Sequence, residues 1–285
     1  QLSSRAKRGI LNYSSREEYS KINEIAHPLL RSALEELNIR DLLEISSFGF
    51  ASRGSGLGGS SSFLLAILKG LFKIKNEELS NHDLAYLASD IEIKKLKKPI
   101  GRQDHFISST GNFSCFKFFN NNNTVEKINF NLSKEKFLKK LTKKLYLVPS
   151  FVSRSADKVL YKLKESSTAN DELLEIRNIS EKFIKTNDNR DYVIEEIFNS
   201  CVRDSWEIKK NMTGVMSGIL NDQYNELKKL PLNWIRLLGA GSGGYFLIST
   251  KLDNKTTEDE LRKLGMKDFF LASMSESGLE IIHNS

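Results

Sequence analysis

Cysteine is nearly absent from this 285-residue chain: there are two, Cys115 and Cys201. Two thiols so far apart cannot build a disulfide framework, so a reducing, cytoplasmic setting is the expectation. Long apolar runs are absent too. The longest, Phe63 to Phe72, contains Lys69 and is too short to span a bilayer, and no secretion signal is visible. Acidic excess is also missing, since 43 Lys and Arg against 36 Asp and Glu give a formal charge of +7. A chain of this length buries a full core and forms one or two domains.

The basic balance raises the question of nucleic acid. Its clusters are Lys94, Lys95, Lys97, Lys98 and Lys139, Lys140, Lys143, Lys144. They fall at the ends of expected helices, where cations complement the helix dipole, and aromatic residues do not interleave with them as stacking platforms would. Nucleic acid is therefore not the expected partner. The same charge raises the local concentration of an anionic nucleotide or sugar phosphate.

What is present is glycine in two concentrated turns. Gly54-Ser55-Gly56-Leu57-Gly58-Gly59-Ser60-Ser61-Ser62 precedes an apolar helix, and Gly239-Ala240-Gly241-Ser242-Gly243-Gly244 lies between two apolar runs. Glycines let the backbone approach an anion, successive N–H groups converge on its oxygens, and the following helix presents the positive end of its dipole. Both segments satisfy G-x-G-x-x-G. The dinucleotide reading of that pattern also needs an acidic residue ending a second strand about 20 positions on. Here Glu77 and Glu78 fall in a polar linker after a helix. A Walker A loop needs Lys and then Ser or Thr directly after its last glycine, and no lysine follows before Lys69.

The first turn resembles the second motif of the GHMP kinases, G-L-G-S-S, at Gly56-Leu57-Gly58-Gly59-Ser60. Two further segments resemble motifs of that family in order: Gly101-Arg102-Gln103-Asp104-His105, like the G-x-x-D-Q segment of its sugar-kinase branch, and Gly239 to Gly244, like its third motif. Ala26-His27-Pro28-Leu29, Gly111-Asn112-Phe113, Ser153-Arg154-Ser155-Ala156 and Ser205 to Lys210 are most similar to the heptose 7-phosphate kinases. The chain departs from the pattern at Ser52, Arg53, Gly59 and His105. The family's first, N-terminal motif is not seen, so the expectation is a sequence incomplete at its start.

The resemblance implies ATP and magnesium as cofactors and a sugar or sugar-phosphate hydroxyl as acceptor, with a fucose- or galactose-type sugar, or a catalytically silent binding protein, as the alternatives. It implies that Gly54, Ser55, Gly56, Leu57, Gly58, Gly59, Ser60 and Ser61 hold nucleotide phosphates. Ser60 and Glu92 would ligate magnesium, which takes oxygen ligands and keeps waters or phosphate oxygens for the rest. Asp104 would accept or orient the acceptor proton. Arg102, His105, Arg154 and Gly241 are candidates for the substrate side. Each also has a plainer reading: Ser60 as a helix cap, Glu92 as a surface acid, Asp104 as a cap for a helix beginning at His105, His105 as a hydrogen-bonded structural residue, and the arginines as surface charges.

Hydrophobic spacing predicts strand, helix, strand, glycine loop and helix through residue 73. A helix over about 81–97 follows, capped by Ser80, and then a hairpin around Asn120 to Thr124. Helices are expected from Ala156 to about Leu230, and the chain ends as strand, strand, helix, strand, strand, the last being Leu279 to His283. This is an α+β pattern. It agrees with the two-domain GHMP kinase fold that the resemblance implies, an N-terminal domain over 1–142 and a ferredoxin-like α+β C-terminal domain over 143–285, with Asn131 to Ser150 as the expected hinge.

Overall fold

The computed structural model describes residues 8–49, 54–119, 123–152 and 156–282. It contains two compact units. One comprises 1–52, 58–116 and 275–285, and the other 53–57 and 117–274.

In the first unit, β1 (Gly9–Asn12) and β2 (Arg16–Tyr19) form an antiparallel hairpin, where the sequence reading expects a single strand. Helix α1 (Pro28–Glu36) follows; Pro28 at its first position suits the helical φ, and His27 Nδ1 accepts from Leu30 N. Strand β3 (Glu44–Ser46) joins β1 in parallel, giving the order β2-β1-β3. Helix α2 (Gly59–Ile74) buries Leu64, Leu65, Leu68 and Leu71, a spacing that turns one stripe to the core. Each such leucine contributes roughly 1.5–3 kcal/mol on burial.

Helix α3 (Asn81–Asp90) starts as expected, with Ser80 Oγ accepting from Asp83 N at 3.1 Å. The expected helix to residue 97 does not continue as α-helix. Ile91–Lys95 widens into a π-helical turn, and Lys97 adopts φ +56°, which ends it. Helix α4 (Gln103–Thr110) follows. The segment expected as a final strand forms none over 279–282. Leu279 packs on the core of this unit, its carbonyl accepts from Asn81 Nδ2 at 2.7 Å, and its N–H bonds to Ser109 O, so its polar groups are met by helix ends rather than by a sheet edge.

Strands β4 (Cys115–Phe118) and β5 (Val125–Ile128) pair as the expected hairpin. Helix α5 (Leu132–Leu141) lies before the expected domain boundary yet packs in the second unit. Its Phe137 ring meets Phe198 at 5.4 Å between centroids, and Lys134 Nζ donates to Ile184 O at 2.8 Å. The compact units divide between Phe116 and Lys117, with 275–285 in the first and 53–57 in the second.

Beyond β6 (Leu145–Pro149) come α6 (Ala156–Glu165), α7 (Ala169–Lys185), α8 (Asp191–Asn211) and α9 (Gly218–Leu227). Then β7 (Leu232–Leu237), β8 (Tyr245–Thr250), α10 (Asn254–Lys263) and β9 (Phe270–Leu271) complete an antiparallel sheet of order β7-β8-β6-β9. A β-α-β-β-α-β succession with β6 and β8 central is the ferredoxin-like arrangement. Its core includes Tyr146, Val148, Trp206, Ile235, Leu237, Phe246 and Ile248.

Candidate active site

The loop ahead of α2 has the backbone that its glycines permit. Gly54, Gly56 and Gly58 take φ of +80°, +76° and +70°, a region costly for residues with a Cβ. Gly58 is the N-cap of α2, and among the described residues no side chain caps the first turn, which leaves its N–H groups to an anion. Ser60 is therefore not the cap. It is the second residue of the helix, and its hydroxyl points elsewhere.

Ser60 Oγ donates to Glu92 Oε1 at 2.7 Å. Glu92 is 1% exposed, contrary to a surface acid, because the π-helical turn carries it inward. Lys98 Nζ donates to the same Oε1 at 2.5 Å and lies 3.4 Å from Ser60 Oγ. The other oxygen, Oε2, accepts from Nε2 of the fully buried His105 at 2.8 Å, while His105 Nδ1 has no hydrogen-bond partner among the described residues. Burial alone would raise the Glu92 pKa. The hydrogen bonds from His105, Lys98 and Ser60 and the Lys98 charge outweigh it and hold the carboxyl at about 2. His105 thus braces Glu92 from inside.

Asp104 stands in the first turn of α4, not ahead of it as a cap, where its charge complements the helix dipole. It is a neighbour of the glycine loop: a Cβ on Gly58 would lie 3.8 Å from its Cγ. Arg102 is committed locally. Nη2 pairs with Asp90 Oδ1 at 2.6 Å, Nη1 donates to Ser89 Oγ, and the guanidinium lies 5.5 Å over the Tyr86 ring. Arg154 lies outside the described residues.

In the second unit, the Gly239–Gly244 turn joins β7 to β8. Gly241, at φ +104°, packs so closely that a Cβ would meet Val215 Cα at 2.7 Å, a packing reason for glycine there. Gly244 touches the first glycine segment, since a Cβ on it would lie 2.4 Å from Ser55 O. Ser60, Glu92, Asp104 and His105 were each expected from sequence; Lys98 was not. It reads as one more member of a lysine run, and its position depends on the π turn and on Lys97, after which Lys98 N closes onto Glu92 O at 3.0 Å.

Residues 24–112 match the family of GHMP kinases N terminal domains. The match covers about a third of the chain, and the α+β fold is that of the mevalonate kinases among solved structures. It is similar to the D-glycero-alpha-D-manno-heptose 7-phosphate kinase of Campylobacter jejuni, 26% identical over 200 residues, covering 67% of this chain and 56% of that protein. It is also similar to the bifunctional fucokinase/GDP-fucose pyrophosphorylase of Arabidopsis thaliana, 26% identical over 223 residues, covering 76% of this chain and 21% of that protein. The match thus spans about half the length of the first relative and about a fifth of the second. Among solved structures, the mevalonate kinase of Methanococcus jannaschii superposes with a TM-score of 0.73 at 18% identity, covering 97% of this chain and 87% of that one. Among the described residues no helix is long and apolar enough to cross a membrane.

Proposed function

We propose that this protein transfers a phosphoryl group from ATP, with magnesium, to a hydroxyl of a sugar or sugar phosphate, in the manner of the heptose 7-phosphate kinase it resembles. The observation that carries this reading is the uncapped α2 N-terminus behind three left-handed glycines, with Ser60 and Glu92 in contact on one side and Asp104 beside Gly58 on the other.

Phosphoryl transfer asks little covalent chemistry of a protein and much positioning. The backbone N–H groups of Gly54 to Ser61 bind the nucleotide phosphates. Ser60 Oγ and Glu92 Oε1 fit a hard cation: they are oxygens 2.7 Å apart, and they already share one cation, the Lys98 ammonium. When bound there, magnesium neutralises charge on the phosphate oxygens. Asp104 accepts the proton of the acceptor hydroxyl or orients it. Sugar specificity rests with the acceptor side, where Arg154 remains a candidate and Arg102 and His105 act through Asp90 and Glu92 instead.

The fucokinase relative favours a second acceptor, a fucose-type sugar. ADP release measured with heptose 7-phosphate, fucose and galactose distinguishes these. Turnover with heptose 7-phosphate above the others supports the first reading. ATP binding without turnover on any sugar would favour a silent binding protein.

A further inference from the structure

The four-residue cluster around Glu92 is asymmetric in a way that bears on how a cation enters it. Oε2 is held by His105, which is 0% exposed and has no route to leave without opening the core. Oε1 is held by Lys98, whose side chain is 23% exposed, and by Ser60, which is exposed. The inner partner is sealed in the core, whereas the outer cation reaches solvent. Lys98 also contacts both oxygens, Glu92 Oε1 and Ser60 Oγ, that the proposed metal requires.

We propose that the Lys98 ammonium is a resident stand-in for the divalent cation: it neutralises buried Glu92 in the metal-free protein and must vacate Oε1 and Ser60 Oγ when the metal binds. The inference rests on Ser60 and Glu92 being the metal ligands. The physical reason for such a device is that a carboxylate buried to this degree cannot remain ionised without a compensating charge. The lysine supplies that charge during the part of the cycle without metal, and its long flexible stem lets it leave without moving the backbone. Metal affinity is then lowered by the fraction of molecules in which Lys98 has swung out. His105 keeps the carboxylate in one orientation throughout, so the site does not collapse between the two occupants.

The test is binding of Mn²⁺ alone, read from the electron paramagnetic resonance signal of the free ion, in wild type, Lys98→Met, Lys94→Met, Glu92→Gln and Lys98→Met/Glu92→Gln. Lys94 pairs with Asp90 at 2.7 Å on the surface, so its removal changes the net charge equally without touching Glu92. Lys98→Met is expected to bind Mn²⁺ on the order of tenfold more tightly than wild type. Lys94→Met should stay within about twofold of wild type, because an exposed charge is screened. The gain should vanish in the double variant. Equal affinities in Lys98→Met and Lys94→Met, or a weaker Lys98→Met, would overturn the exchange while leaving Glu92 as a ligand, provided Glu92→Gln alone weakens binding. If Glu92→Gln changes nothing in either background, the ligand assignment itself fails. Lys98→Gln keeps a hydrogen-bond donor for Glu92 without the charge and carries the same test if the methionine variant does not fold. In wild type, Mn²⁺ should also increase acetylation of Lys98 by acetic anhydride relative to Lys94; unchanged labelling at saturating metal would count against displacement.

Discussion

Gly244 and Ser55 meet backbone to backbone: the place a Cβ would take on Gly244 is 2.4 Å from the Ser55 carbonyl oxygen. Ser55 and Gly244, separated by nearly two hundred residues of chain, therefore support one another within a single unit. Gly244→Ala adds a methyl where no atom fits, at φ +103°. The expected outcome is a lowered melting temperature together with ATP affinity reduced by about tenfold or more, because the Ser55 segment must shift. Gly70→Ala is the control. It lies in the exposed interior of α2 with nothing within 4 Å, so it should stabilise the fold by about 0.5–1 kcal/mol and leave ATP affinity unchanged. Calorimetric titration and melting curves read both.

Gly58→Val tests the loop itself. Valine at φ +70° is strained, and the β-branched side chain cannot keep the left-handed N-cap. ATP binding should be lost while circular dichroism shows a folded protein. Undiminished affinity in a folded Gly58→Val protein removes the loop from the nucleotide site.

The Glu92 carboxyl has a defined pH signature. Its pKa in the folded protein is held at about 2, below the value of 4.5 for a free carboxyl. A depressed acid contributes stability that is complete above the unfolded pKa and is lost as pH falls through the folded one. Wild type should therefore lose about 3 kcal/mol from this group between pH 5 and 2. The slope of unfolding free energy over that range should be shallower in Glu92→Gln, and identical slopes in urea titrations at each pH would remove the depressed carboxyl from the account.

Much of the frame was legible in the sequence because local chemistry and tertiary packing agree there. Ser80 and Asp83 announce the start of α3, the leucine stripe announces α2, and glycines at positive φ announce the loop. What was hidden depends on departures from regular winding or on distant partners. The π turn over Ile91–Lys95 leaves no composition mark, yet it holds the buried Glu92 and, with Lys97, precedes the Lys98 that pairs with it. Arg102 resembles a phosphate ligand until Asp90 and Ser89 are seen to hold it. Leu279 and its neighbours have the apolar content of a strand, but their polar groups are satisfied by Asn81 and Ser109, so no ladder is needed.

The proposed ligand pair, Ser60 and Glu92, predicts magnesium dependence. Glu92→Gln should raise the magnesium concentration required for turnover more than it weakens metal-free nucleotide binding, since its proposed contact is with the ion. An unchanged magnesium titration would return Glu92 to a purely structural role with His105 and Lys98.

The most direct measurement of the central claim is sugar-dependent ADP release by Asp104→Asn, taken beside a melting curve. The substitution keeps the size of the side chain next to Gly58 and removes the charge proposed to accept or orient the acceptor proton. The expected result is a rate lowered by roughly 100-fold or more, with ATP affinity and melting temperature little changed. Near-normal turnover from a fully folded Asp104→Asn protein would contradict the account.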